Sequence, residues 1–190
     1  MKKKDAIEHG EPAAYADFAG IEGRSTADDF LGAVGHHHVQ MSAMADVKAN
    51  IIITASSIVL TLALSHFEDP GYRATVILLL PFVTLALLFA IIAVLPKHKT
   101  ISWAEGAVRP SRFNIMFFGH FASLSKERYL REMAQILKHD HAIYETMCED
   151  IYGIGHYLDG YKYRYLRWSY LCFLLGFLLA GLSSAVRLFL

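Results

Sequence analysis

Residues Ala74–Leu95, ATVILLLPFVTLALLFAIIAVL, carry no formal charge and decide the class of this chain. About 20 helical residues cross a ~30 Å hydrocarbon core, and this run has that length. Two further runs match it: Ala49–Phe67, ANIIITASSIVLTLALSHF, and Trp168–Val186, WSYLCFLLGFLLAGLSSAV. A soluble helix buried on all sides can keep such a composition for a dozen residues. It does not do so three times in a chain of 190 residues. The expected fold is an all-α membrane protein: three transmembrane helices, with a cytoplasmic helical segment between spans 2 and 3.

Basic residues set the orientation. Lys2, Lys3, Lys4, Arg24 and Lys48 precede the first span, and the stretch from Lys97 to Arg167 is rich in lysine and arginine. Only Arg73 and Arg187 fall on the other side. Positive charge near span ends resists translocation, and Lys97, Lys99, Arg109, Arg112, Lys162, Arg164 and Arg167 all lie toward the ends of the long loop. The N-terminus is therefore expected in the cytoplasm and the C-terminus outside, in the periplasm of a bacterium. Asp69-Pro70-Gly71 suits a tight outer turn at residues 68–72, because proline presets φ and glycine relaxes it. Tyr163, Tyr165, Trp168 and Tyr170 gather at the inner mouth of the third span, where amphipathic rings favour the headgroup level.

The resulting organisation has four parts. Residues 1–40 read as a mostly disordered cytoplasmic tail, with room for a short helix. Residues 41–96 form a transmembrane hairpin with spans at about 49–67 and 74–95. Residues 97–167 form the cytoplasmic helical segment, and 168–190 the third transmembrane helix with a short outer tail. The formal net charge is zero, so no bulk affinity for nucleic acid is expected. Cys148 and Cys172 have neither a disulfide nor a zinc spacing. The first span starts too late for a signal peptide, so Lys2–Lys4 read as an orientation signal.

Polar residues within the spans fall in patterns. Asn50, Thr54, Ser57, Thr61 and Ser65 recur every three or four residues and share one helix face. Such a face serves either as a packing surface between helices or as the lining of a pore once copies assemble. Gly176, Ala180 and Ser184 place small residues at four-residue spacing on the third span, which permits close helix association.

In the inner segment, Phe113–Phe121 is densely aromatic, and Ser123 and Ser125 offer helix N-caps before Glu127. Leu130, Met133, Leu137, Asp140, Tyr144, Met147, Ile151, Ile154 and Leu158 alternate spacings of three and four, a coiled-coil-like seam. Gly153, Gly155 and Gly160 weaken the helix just before the membrane.

No P-loop, G-x-S-x-G, kinase set or H-E-x-x-H is present, and no enzymatic activity is expected. Three consecutive residues, His36–His38, cannot all face one ion, and His139-Asp140-His141 lacks the second pair a metal phosphohydrolase needs. No metal or cofactor is expected. Arg109, Arg112, Arg128 and Arg131, close in sequence to Phe117, Phe118 and Phe121, could clasp a phosphate and stack a base, although a solvated basic face uses the same residues.

Two strings carry a family resemblance. Met44-Ala45-Asp46-Val47-Lys48-Ala49-Asn50, running into a membrane helix, resembles the A-D-x-K-A-N signature of the transmembrane effectors of Pycsar antiphage systems. Asn114-Ile115-Met116-Phe117-Phe118-Gly119, then the Tyr129–Tyr157 helix with Glu149-Asp150-Ile151-Tyr152, then a closing span, is similar to the rest of that PycTM-like pattern. The resemblance covers residues 41–186. It implies a cyclic pyrimidine nucleotide, cUMP or cCMP, made by a partner cyclase on infection. It also implies an effector that impairs the bacterial inner membrane, causing abortive infection. The matching positions Asp46, Lys48, Asn50, Asn114, Phe117, Phe118 and Gly119 become candidates for ligand binding or coupling, joined on chemical grounds by Arg128 and Arg131. Membrane lipid and further copies of the chain are the other expected partners. Asp46 is expected to pair with Lys48, Arg128 or Arg131 near the inner interface. The alternatives are a membrane scaffold that recruits a partner through the heptad seam, and a small channel or transporter subunit.

Overall fold

The computed structural model describes residues 18, 21–96, 101–104 and 106–189, and among these every regular element is helical. The elements are α1 (Ser25–Ser65), α2 (Arg73–Val94), a short α3 (Phe118–Phe121), α4 (Lys126–Ile136), α5 (Asp140–Tyr157), a π-helical segment (Leu158–Tyr163) and α6 (Arg164–Phe189). Three helical stretches, Ser25–Ser65, Arg73–Val94 and Asp140–Arg187, are long and apolar enough to cross a membrane. The described residues divide into two compact units: those up to 35 with those from 101 to 152, and 36–96 with 153–189.

The second unit holds the spans. α2 and α6 run antiparallel, as their paired positions show: Thr75 meets Ser183 and Ser184, Gly176 meets Phe82, and the Ser169 hydroxyl donates to the Ala86 carbonyl. A Cβ on Gly176 would stand 2.8 Å from the Phe82 Cβ, so glycine is what lets the two backbones approach here. Ala180 is buried on the same face. α1 joins through an alanine seam, Ala45, Ala49 and Ile52 packing with Ala86, Ala90, Ala93 and Leu166. Small side chains bring helices close where lipid offers no hydrophobic gain for association. α2 runs through Pro81 unbroken. The α1–α2 turn closes with the Gly71 amide donating to Asp69 Oδ1 at 2.8 Å.

In the first unit the start of α1 is held by side chains from α5. The Gly23 amide donates to Asp140 Oδ2 (2.8 Å), the Arg24 amide to the Tyr144 hydroxyl (3.1 Å), and that hydroxyl donates to Asp28 Oδ1 (2.9 Å). Residues 25–40, expected to be mostly disordered with room for a short helix, belong to a long helix instead, while 1–17, 19 and 20 lie outside the described residues. The holding partners are more than a hundred residues away, so local composition carries no sign of them.

The seam expected from Leu130 to Leu158 is also divided. α4 ends at Ile136 and α5 begins at Asp140. Asp140 and Tyr144, from the seam's second half, bond the segment leading into α1, and Tyr144 is buried. In the first half Leu130 and Leu137 stay more than half exposed. Ser125 caps α4 by accepting from the Arg128 amide, as its spacing before Glu127 predicts.

Candidate functional site

The Asn114–Gly119 string builds a closed knot in the first unit. Phe113 and Ile115 are almost fully buried and anchor it. The Asn114 amide N–H donates to His120 Nδ1 at 2.9 Å, and its side-chain oxygen accepts from the Met116 amide at 2.8 Å. Its Nδ2 donates to Asp150 Oδ1 on α5 at 2.7 Å. One asparagine thus uses both ends of its side chain to shape the loop and to fasten it to a helix. Arg109 adds a second fastening, donating to the Phe113 carbonyl at 3.0 Å and reaching Glu149 at 3.4 Å.

Aromatic rings fill the knot. Phe117 stands edge-on to His120 with ring centres 5.0 Å apart, and Phe113 lies 5.6 Å from the same imidazole. Gly119 leaves room for this, since a Cβ there would stand 2.5 Å from the Phe117 ring. Phe118 points outward and is 55% exposed. Arg128 lies over the Trp103 indole, 4.1 Å from its centre, and donates to the Trp103 carbonyl at 2.8 Å. That contact is a cation–π pair with its charge partly spent. Arg131 is exposed on α4.

Two groups beside this knot titrate away from their usual ranges. The bond from the Arg24 amide pulls the Tyr144 hydroxyl down, but its bond to Asp28, burial, and the charges of Asp28 and Asp140 outweigh it and raise the pKa. Burial pushes the Cys148 thiol up, which makes it a poor nucleophile. Among the described residues no cluster of His, Cys, Asp or Glu could hold a metal ion.

The second unit has a polar centre that sequence reasoning missed. Lys162, on the π-helical segment, sets its Nζ 2.7 Å from both Asp46 oxygens and 2.8 Å from the Ser42 hydroxyl. Its side chain is 9% exposed, that of Asp46 41%. Asp46 therefore pairs with Lys162, correcting the expectation of Lys48, Arg128 or Arg131. Lys48 and Asn50 are exposed. Beside the ion pair, Tyr163 donates to the Met41 carbonyl (3.2 Å) and Tyr161 to the Ile92 carbonyl (3.0 Å). A signal for Lys162 did exist: Asp46 and Lys162 each sit about a turn or two before the start of a membrane-length apolar run, so opposite charges stand at matching positions. A charge at such a position needs a partner.

The hydroxyl stripe faces away from the chain's own bundle. Thr54, Ser57, Thr61 and Ser65 are exposed. Ser57 donates to the Ile53 carbonyl, Thr61 to that of Ser57 and Ser65 to that of Leu62. Such bonds to the helix's own backbone satisfy the hydroxyls without any neighbouring helix. The serines that do pack inside are Ser56 and Ser169, both fully buried, and the Ser56 hydroxyl has no partner among the described residues. Gly176, Ala180 and Ser184 face α2 within the same chain.

Three membrane-length helices, packed through an alanine–glycine seam and an ion pair, define a multi-pass membrane protein. The family model described as the Pycsar effector protein domain, PycTM, matches residues 29–188. The chain belongs to that family and is a membrane effector of Pycsar antiphage defence. The match begins within the part of α1 that composition alone reads as a mostly disordered tail. No curated protein and no solved structure matches the chain.

Proposed function

We propose that cUMP or cCMP from a partner cyclase binds the segment between spans 2 and 3, and that binding drives the spans to permeabilise the inner membrane. In this reading the N-terminus and residues 97–167 are cytoplasmic, the C-terminus is periplasmic, and copies assemble with the α1 hydroxyl face turned toward a common lumen. Family membership supports a cyclase-derived signal and a membrane setting. The observation that carries the coupling is helical continuity: α5, which the Asn114 knot grips through Asp150, passes into the π-helical segment and α6 with no non-helical residue between them. A ligand that competes for Asp150, Glu149 or the rings beside them shifts the register of α5. The π-helical segment is the weak link, because its looser ladder can convert to α-helix. Conversion would rotate Lys162 away from Asp46 and free α1 from α6.

The test has two arms. Calorimetry on detergent-purified protein should detect cUMP or cCMP but not the linear monophosphates, and proteoliposomes should release dye only with the cyclic ligand. Binding without release would remove the membrane action. Release without cyclic-nucleotide dependence would remove the gating.

A further inference from the structure

α4 is an amphipathic helix with one flank turned outward. Tyr129 meets Phe121 with ring centres 5.0 Å apart and Arg128 covers Trp103, so that side faces its own unit. On the opposite flank Leu130, Ala134 and Leu137 follow at i, i+4 and i+7, and no α4 residue is fully buried. Leu130 is 54% exposed and Leu137 62%. Lys126, Arg131 and Lys138 border this stripe, against the single acid Glu127. None of the three has an ion pair among the described residues, and the Lys138 ammonium bonds only the uncharged side chain of Gln135.

We propose that this face of α4 docks on an anionic bilayer surface, laying Leu130, Ala134 and Leu137 at the headgroup–acyl boundary with Lys126, Arg131 and Lys138 on lipid phosphates. The charge pattern selects this occupant. Docking two copies through the face would press like charges together, and an apolar partner would leave all three cations unpaired. An anionic lipid surface meets both the leucines and the cations. The chain's own spans keep this helix at a high effective concentration near such a surface, so a short stripe suffices where a free peptide would not bind. Docking would limit the positions α4 can take while the knot next to it is at rest. Docking of α4 requires no nucleotide.

The test uses the full chain in nanodiscs loaded with one copy each, which removes a second copy as a source of signal. Ala134→Cys, in a background with Cys148 and Cys172 replaced by alanine, carries an environment-sensitive dye. In discs rich in phosphatidylglycerol the dye should be blue-shifted and quenched by spin-labelled lipid, and in pure phosphatidylcholine discs it should be largely solvent-exposed. Lys126→Gln with Arg131→Gln and Lys138→Gln should lower the docked-to-free ratio about fivefold per charge removed. Leu130→Glu with Leu137→Glu should abolish the shift. The charge variant keeps the test valid if the glutamate variant fails to fold. An exposed dye in anionic discs, or equal quenching in both lipids, would overturn the proposal.

Discussion

Removing either partner of the Asp46–Lys162 pair leaves a different group stranded, and the two substitutions should differ in cost. Asp46→Ala leaves the Lys162 ammonium in place with 9% of its side chain exposed and only Ser42 oxygens nearby. Breaking a buried pair and stranding its charge typically costs about 3–5 kcal/mol, and the low end applies because the Ser42 hydroxyl still accepts a bond. Lys162→Met leaves a carboxylate that keeps 41% exposure and can recover water, so about 1 kcal/mol is expected. For a chain of this size each kcal/mol moves the melting temperature by about 2–4 °C. Asp46→Ala should therefore lower it by roughly 6–12 °C and Lys162→Met by about 2–4 °C, measured in mild detergent. The double variant should be less damaged than Asp46→Ala alone, the non-additivity expected of two residues in direct contact. Equal losses, the reverse order, or a coupling below about 0.5 kcal/mol would refute the geometric argument.

Gly176→Leu should force α6 off α2, costing about 1–3 kcal/mol in the same melting assay, while Gly181→Ala, with nothing within 4 Å of its added carbon, should be neutral. The raised Tyr144 pKa means that folding favours the neutral phenol, so its contribution is complete below the ordinary value of 10.0 and fades as pH rises through the higher folded value. The protection of amides around Gly23–Asp28, taken relative to the intrinsic exchange rate at each pH, should fall in the wild type as pH rises above 10.0, and Tyr144→Phe should already show the low protection at neutral pH. Ser57→Leu with Thr61→Leu removes hydroxyls that bond only their own helix, so abundance and ligand binding should persist. Dye release should fall if the stripe lines a lumen, and full release at normal abundance would take the stripe out of the membrane-damaging step.

Apolar length and charge placement determined, without any structure, that three helices of this chain suit a bilayer. Those properties depend only on composition over about 20 residues, which neighbours in space do not alter. Ser125 was legible as a helix cap for the same reason, since its partner is three residues away. The four-residue spacing of Gly176, Ala180 and Ser184 was visible too, but not the surface it meets, which is Phe82 and Thr75 of α2. Tertiary structure decided the pairing of charges. Asp46 had cations at hand in sequence, Lys48 nearest, and took Lys162, because the fold sets the π-helical segment beside α1 and buries the ammonium. It also decided the state of residues 25–40, where Asp140 and Tyr144 supply the bonds that order the approach to α1. The long seam met the same limit: its periodicity was real, but contacts at Asp140 turned one half inward and left Leu130 and Leu137 facing out. Periodicity specifies which residues share a face, and only the folded chain specifies what that face meets.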